Sequence, residues 1–430
     1  MREMKKTGIT WLGEIPKFWN LIKIKYTLQE RIEKNNPIRS DNILSLTAKQ
    51  GVIPYDEKEG GGNKPKEDLS GYRLTYPGDI VMNSMNILSG SVGLSKYYGC
   101  VSPVYYMLRP YNSEFDVRYF NYIFQTTVFQ KSLFGLGNGI LIKESGNGKL
   151  NTIRMRIPMD KFGQLFIPVA PTKEQKKISD FLDDRCNEIN WLMDDIQFQI
   201  DTLEQYKRSV ITKLVTKGLN PEVEMEDSGI QWIGQMPAYW DCIRGKYILR
   251  YLQKPVKEED GVVTCFRDGE VTLRSNRRED GFTMSDKEIG YQGIDVGDLV
   301  VHGMDGFAGA IGISDSRGKA SPVLNVLGTD QNKRYIMYYL RSMAYSDVFA
   351  AMATGIRVRS CDLRWNKLSE LMYPVPPIEE QEKIVEHIDM VIKQTDEIIA
   401  DKTEQLATID EYKKSLIYEY VTGKKEVAAS

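Results

Sequence analysis

Apolar positions along this chain follow two different periods, and each period occurs twice. In residues 1–171 and 225–377, short apolar runs alternate with Gly, Asn, Asp and Pro; examples are ILSLTA (43–48), GDIVM (78–82), VVTCF (262–266) and GDLVV (297–301). Runs of that length between such breakers predict short strands. Spacing of three and four over 119–134 and again over 335–352 predicts one helix in each region. After Pro171 the helical period takes over: Ile178, Leu182, Arg185, Ile189, Leu192, Ile196, Ile200, Leu203, Tyr206, Val210 and Leu214 form one stripe, with no Gly or Pro before Gly218. Thr172 and Gln175 are spaced as a capping box. A second stripe starts after Pro376-Pro377, with Glu379, Glu380 and Glu382 in the first turn, where negative charge suits the helix dipole. It runs through Ile384, Ile388, Val391, Thr395, Ile398, Lys402, Leu406, Ile409, Tyr412, Leu416 and Tyr420. Each stripe implies a helix roughly 65–70 Å long at about 1.5 Å per residue, and a near-heptad stripe of that length needs a partner.

The partner is supplied by duplication. Residues 7–28 (TGITWLGEIPKFWNLIKIKYTL) return as 228–249 (SGIQWIGQMPAYWDCIRGKYIL), with ten of 22 positions identical. PGDIVMNSMNILSGSVG (77–93) matches VGDLVVHGMDGFAGAIG (296–312), and VSPV (101–104) matches ASPV (320–323). IPVAPTKEQKKI (167–178) matches YPVPPIEEQEKI (373–384), and YKRSVITKLVT (206–216) matches YKKSLIYEYVT (412–422). A period near 210 residues is far beyond the roughly 20–50 of a solenoid. The predicted fold class is α+β: two similar globular α/β domains joined by two long helices packed as an antiparallel coiled coil, with pseudo-twofold symmetry. The expected division is 1–171, helix 172–217, linker plus second domain 218–377, and helix 378–425. The alternative lays each helix across its own domain. The order of parts is cyclic, with the two termini standing where the linker TKGLNPEVEMED (216–227) stands, so the termini are expected together.

Charge and cysteine content narrow the setting. The net charge of −2 is uneven: residues 1–171 hold 23 Lys and Arg against 15 Asp and Glu, and residues 378–430 hold 7 against 13. A basic first domain suits nucleic acid, but bulk charge alone cannot carry the binding. Five cysteines without C-x-x-C spacing, no apolar N-terminal stretch and no run of about 20 apolar residues point to a cytoplasmic protein without a membrane segment.

Candidate chemistry is sparse. The two histidines, His302 and His387, lack the partners of a Ser-His-Asp or Cys-His arrangement. GNGKL (146–150) lacks the leading Gly and following Ser/Thr of a phosphate loop, and GLGNG (135–139) reads as a turn. No catalytic residue and no metal site is expected. Polar loops in equivalent places remain. Lys49, Gln50, Lys58, Lys64 and Lys66 follow the first ILSLTA run, and Arg267, Arg274, Asn276, Arg277 and Arg278 follow its counterpart. Asn83 and Asn86 stand opposite His302 and Asp305. Lys143 corresponds to Arg359, beside Arg357, and the first half adds about ten residues carrying Lys149, Arg154 and Arg156. These side chains grip phosphates and read base edges; singly, each also reads as a solvated surface charge. The framework repeats while the loops differ, as expected for one scaffold reading two things.

With its paired GI-x-W-I/L-G-x-I/M-P-x-aromatic-W openings, P-x-x-P…EQ-x-K-I helix starts and Y-K-x-S-L/V-I…V-T helix ends, the chain resembles the specificity subunit of a type I restriction–modification system over its whole length. The resemblance implies two target-recognition domains, each reading one half of a split double-stranded DNA sequence. It implies two modification subunits bringing S-adenosylmethionine and adenine methylation, and two restriction subunits bringing ATP, Mg and cleavage, with no cofactor in this chain. The competing expectations are a structural coiled-coil scaffold and the specificity module of a fused restriction–methylation enzyme.

Overall fold

The computed structural model describes residues 2–47, 50–58, 64–140, 143–144, 150–151, 154–277, 289–351 and 363–428. They form two compact units, Met1–Asp195 with Gln405–Ser430, and Ile196–Glu404. The long helices, Thr172–Lys217 and Ile378–Val421, each contribute to both units.

Both units are built to one plan. The first has a four-stranded antiparallel sheet in the order Leu28–Glu30, Tyr105–Pro110, Ile80–Asn83, Val92–Leu94, with Tyr106 opposite Met82. The second repeats it as Leu249–Tyr251, Leu324–Thr329, Leu299–His302, Ile311–Ile313, with Val326 opposite Val300. Four two-stranded pairs recur as well, among them the hairpin Leu44–Thr47/Gly51–Pro54 and its counterpart Val263–Cys265/Val271–Leu273. The first unit adds the pairs Asn138–Ile140/Arg154–Arg156 and Lys143–Glu144/Leu150–Asn151, within the stretch where its sequence is longer.

The helix expected over 119–134 is two helices, Val117–Gln125 and Thr127–Ser132. Thr126 is extended (φ −68, ψ 130), and its hydroxyl closes the first helix on the Ile123 carbonyl at 2.7 Å. In the second unit Lys333–Tyr345 is likewise separated from Val348–Ala351, by Asp347 at φ 56. A positive φ cannot continue a right-handed helix. The capping box also fails to form. The Pro171 carbonyl accepts the first helical N–H groups, from Glu174 and Gln175, and the Gln175 amide is used elsewhere.

Each core joins sheet, short helix and both long helices. In the first, Trp19, Tyr119, Phe120, Phe124, Phe129 and Phe162 are fully buried with Ile178, Leu182, Leu416, Ile417 and Val421. In the second, Trp240, Tyr335, Tyr339, Phe349 and Tyr373 pack with Ile211, Leu214, Val215, Ile384, Val385 and Ile388. The helices run antiparallel within each unit. The Phe181 and Tyr420 rings lie 4.5 Å apart and Lys413 donates to Asn190 in the first; Lys402 donates to Gln199 and Lys207 to Asp396 in the second. Leu192, Tyr206, Ile398 and Tyr412, although on the expected stripes, are exposed.

Four fastenings explain why the same residues recur. Trp19 donates its indole N–H to Glu174 at 2.9 Å, and Trp240 donates to Glu380 at 3.2 Å. The buried Gln175 accepts from the Asp116 N–H and donates to the Ala170 carbonyl; Gln381 does the same with Asn332 and Pro376. Tyr119 reaches the carbonyls of Pro168 and Val421, and Tyr335 those of Pro374 and Val215. Asp183 gathers Arg118 and Tyr122, as Asp389 gathers Arg334 and Tyr338. A buried polar group left unpaired costs about 1–3 kcal/mol, so these bonds dictate which end of which helix each sheet accepts. Gly423 and Gly218 end the two helices at φ 70 and φ 72, and a Cβ on either would stand 3.0 Å from the indole of Trp19 or Trp240. The terminal segments meet in the first unit, as the cyclic order of parts predicts: Arg2 pairs with Glu426 at 3.0 Å and with Glu174 at 2.5 Å.

Candidate nucleic-acid interface

In the second unit, the hairpin and the turn after strand Leu299–His302 face one another across a cleft of about 590 Å³ lined by Thr264, Cys265, Phe266, Arg267, Asp268, Arg277, His302 and Asp305. The hairpin turn places Arg267 and Asp268 together because Phe266 closes on Glu270 by an N–H···O bond of 2.8 Å. Arg267 pairs with Asp305 at 2.8 Å. Arg277 pairs with Asp268 at 2.7 Å and Glu270 at 3.2 Å, and its guanidinium lies 4.2 Å from the centre of the Phe266 ring. His302 Nδ1 accepts the backbone N–H groups of Met304 and Asp305 at 3.2 and 2.9 Å. That requires an unprotonated Nδ1, and burial indeed pushes the imidazole below its ordinary pKa. Burial pushes the Cys265 thiol up to about 12, so it stays protonated and unreactive. Arg274 donates across the same hairpin to the Thr264 hydroxyl, and Asn276 donates to the Thr272 hydroxyl on its own arm.

The first unit uses the same positions differently. Asn83 takes the place of His302, its Oδ1 accepting from the Met85 N–H at 3.0 Å, and Asn86 beside it is exposed. Lys58 stands where Arg277 does, with its ammonium 5.9 Å from the Tyr55 ring centre. Gln50, Lys64 and Lys66 are exposed. Arg156 borders a separate cleft of about 450 Å³ with Tyr106, Arg73 and Glu30, and Arg73 is held by Glu30 at 2.7 Å. Lys143 and Arg154 fall in strands of the added pairs. Lys49, Lys149, Arg278, Arg357 and Arg359 lie outside the described residues.

Sequence reasoning named Arg277 and left out the carboxylates that hold it, Asp268 and Glu270. The Arg-Asp-Gly-Glu turn (267–270) carries the available signal, since its two acids come within reach of an arginine beyond the returning strand of the hairpin. Among the described residues no group of three or more His, Cys, Asp and Glu side chains is placed to hold a metal ion. No described helix is long and apolar enough to cross a membrane.

No family model matches the chain. Curated homologues do. A Methanocaldococcus jannaschii protein assigned as the specificity subunit of the type I restriction enzyme MjaX is 24% identical over 457 aligned positions, covering 98% of this chain and 96% of its own. The MjaVIII specificity subunit of the same organism is 25% identical over 283 positions, covering 62% of this chain and 63% of its own. Among solved structures, a chain from a study of complex assembly and conformational transition of the type I R-M system has the same fold, with a TM-score of 0.65 at 12% identity over 96% of this chain and 99% of that one. The resemblance carried by the duplicated motifs thus extends to named homologues along the whole chain.

Proposed function

We propose that this chain is the DNA-recognition subunit of a type I restriction–modification complex and performs no chemistry itself. The observation that carries the reading is duplication with divergence: two units share their strand order and all four helix fastenings, yet differ at Lys58/Arg277, Asn83/His302 and Asn86/Asp305. A framework repeated to the individual hydrogen bond, with polar loops free to vary, suits two readers of unlike sequences. Phosphate contacts position such a reader on the duplex and base-edge contacts give it sequence preference.

On this reading each unit reads one half of a bipartite target. The two long helices form an antiparallel coiled coil that sets the number of unread base pairs between the halves. They also dock two modification and two restriction subunits, where S-adenosylmethionine, ATP and Mg act. The test is reconstitution with the modification subunits and sequencing of the methylated products. The expected result is a single two-part adenine-methylation motif, with neither methylation nor cleavage by the isolated chain. Methylation without sequence preference contradicts the reading and favours a structural scaffold, and turnover by the isolated chain contradicts it in favour of a fused enzyme.

A further inference from the structure

Arginines that grip DNA phosphates ordinarily stand without acidic neighbours, because affinity for the backbone comes from uncompensated positive charge. The cleft of the second unit is arranged otherwise. Its two exposed arginines are both paired, Arg267 with Asp305 and Arg277 with Asp268 and Glu270. Among the described residues the two guanidinium groups have three carboxylate partners, and His302, whose Nδ1 accepts two backbone N–H groups, adds no charge. A phosphate brought to either arginine would meet a carboxylate within about 3 Å of the same guanidinium, and like charges so placed repel.

A base edge meets no such obstacle. In the major groove guanine presents the acceptors O6 and N7, cytosine and adenine present amino donors, and all are neutral. A guanidinium beside a carboxylate offers donors and acceptors together, which matches that mixed edge. Exposed ion pairs are weak, so a base can compete for either partner at little cost. The Phe266 ring under Arg277 fixes the plane of the guanidinium, favouring in-plane bidentate bonding. The first unit lacks this arrangement: Asn86 replaces Asp305, Gly51 replaces Glu270 and Lys58 replaces Arg277.

We infer that Asp268, Glu270 and Asp305 are specificity-determining residues of the second unit, which hold Arg267 and Arg277 for base edges and reject the phosphate backbone. The inference rests on the proposed DNA-reading function.

The full-length chain carrying Asp305→Asn, and separately Asp268→Asn with Glu270→Gln, is assembled with the modification subunits. Affinity for a random-sequence duplex is measured by titration, and the methylated motif is read from a randomised duplex library. Asp305→Asn installs the residue the first unit has at this turn, so the fold has a precedent for it, and an unchanged melting temperature checks it. Random-duplex affinity is expected to rise about threefold to tenfold, with relaxed base preference in one half-site and the other half-site unchanged. Unchanged random-duplex affinity, or relaxation of both half-sites, overturns the inference. If the unsubstituted complex selects no motif, the DNA-reading function itself fails, and that control separates the two failures.

Discussion

The two units differ least where they touch the long helices and most where their hairpins face solvent. Trp19 and Trp240, Gln175 and Gln381, Tyr119 and Tyr335, Asp183 and Asp389 make matching bonds at matching places. At the loops an asparagine becomes a histidine, and a half-buried lysine over a tyrosine ring becomes an arginine clamped between acids. Function explains the contrast if the helices demand the same docking from both units while each loop set answers to a different DNA sequence.

The framework half of this comparison makes the largest predictions. Trp19→Ala and Trp240→Ala each remove a buried indole and its hydrogen bond to Glu174 or Glu380, leaving those carboxylates to Arg2 and Tyr239, and each should destabilise its unit by about 3–5 kcal/mol. Equivalence is the point: denaturant unfolding should give similar losses for the two, and a loss confined to one would show that the repeat is not energetic. Gln175→Leu and Gln381→Leu strand a backbone N–H and a carbonyl in the interior, so losses of about 2–3 kcal/mol should again match in the same unfolding measurement.

The helices supply a geometric prediction. Four residues inserted after Ile200 add about 6 Å and slightly more than one turn, close to two base pairs at about 3.4 Å each. Duplexes with gaps of different length, tested in competition, should show the preferred gap lengthening by one or two base pairs. The parental spacing should lose about tenfold in affinity, with both half-sites unchanged. Tolerance of several gaps at once would point to a flexible tether.

The smallest effect concerns pH. Burial holds the folded His302 pKa below its ordinary value of 6.5, so the unfolded chain binds the proton first. The stability that His302 contributes is therefore present above that value and lost as pH falls through the folded pKa. Arg267 also disfavours the protonated ring, while Asp305 favours it. The turn at 302–305 should loosen in acid by less than about 1 kcal/mol, seen as faster amide exchange at Met304 and Asp305. The Asn83 turn, with no titrating group at that position, should not respond.

Much of the architecture was legible in the sequence because duplication displays each constraint twice. The helices expected over 172–217 and 378–425 are found as Thr172–Lys217 and Ile378–Val421, the second ending four residues early, and the strand signals at GDIVM and GDLVV fall on central strands of the two sheets. What spacing could not reveal was where polar side chains turn. Gln175 stands at a capping-box position, yet its amide spans to Asp116, 59 residues away, because the Pro171 carbonyl already serves the helix start. Apolar period ran straight through Thr126, where a hydroxyl-to-carbonyl bond closes one helix before the next begins. At the loops, residue type identified Arg267 and Arg277, but hairpin register decides that Asp268 and Glu270 lie beside Arg277.

The central claim is that the two units read independently, and exchange of one recognition region tests it most directly. Residues 1–171 are replaced by those of another specificity subunit that retains a carbonyl for Gln175 and a core for Ile178 and Leu182, and the methylated motif of the reconstituted complex is sequenced. The account predicts that one half of the motif changes while the other half and the gap stay as they were. A motif altered in both halves, from a complex that still assembles and folds, would contradict it.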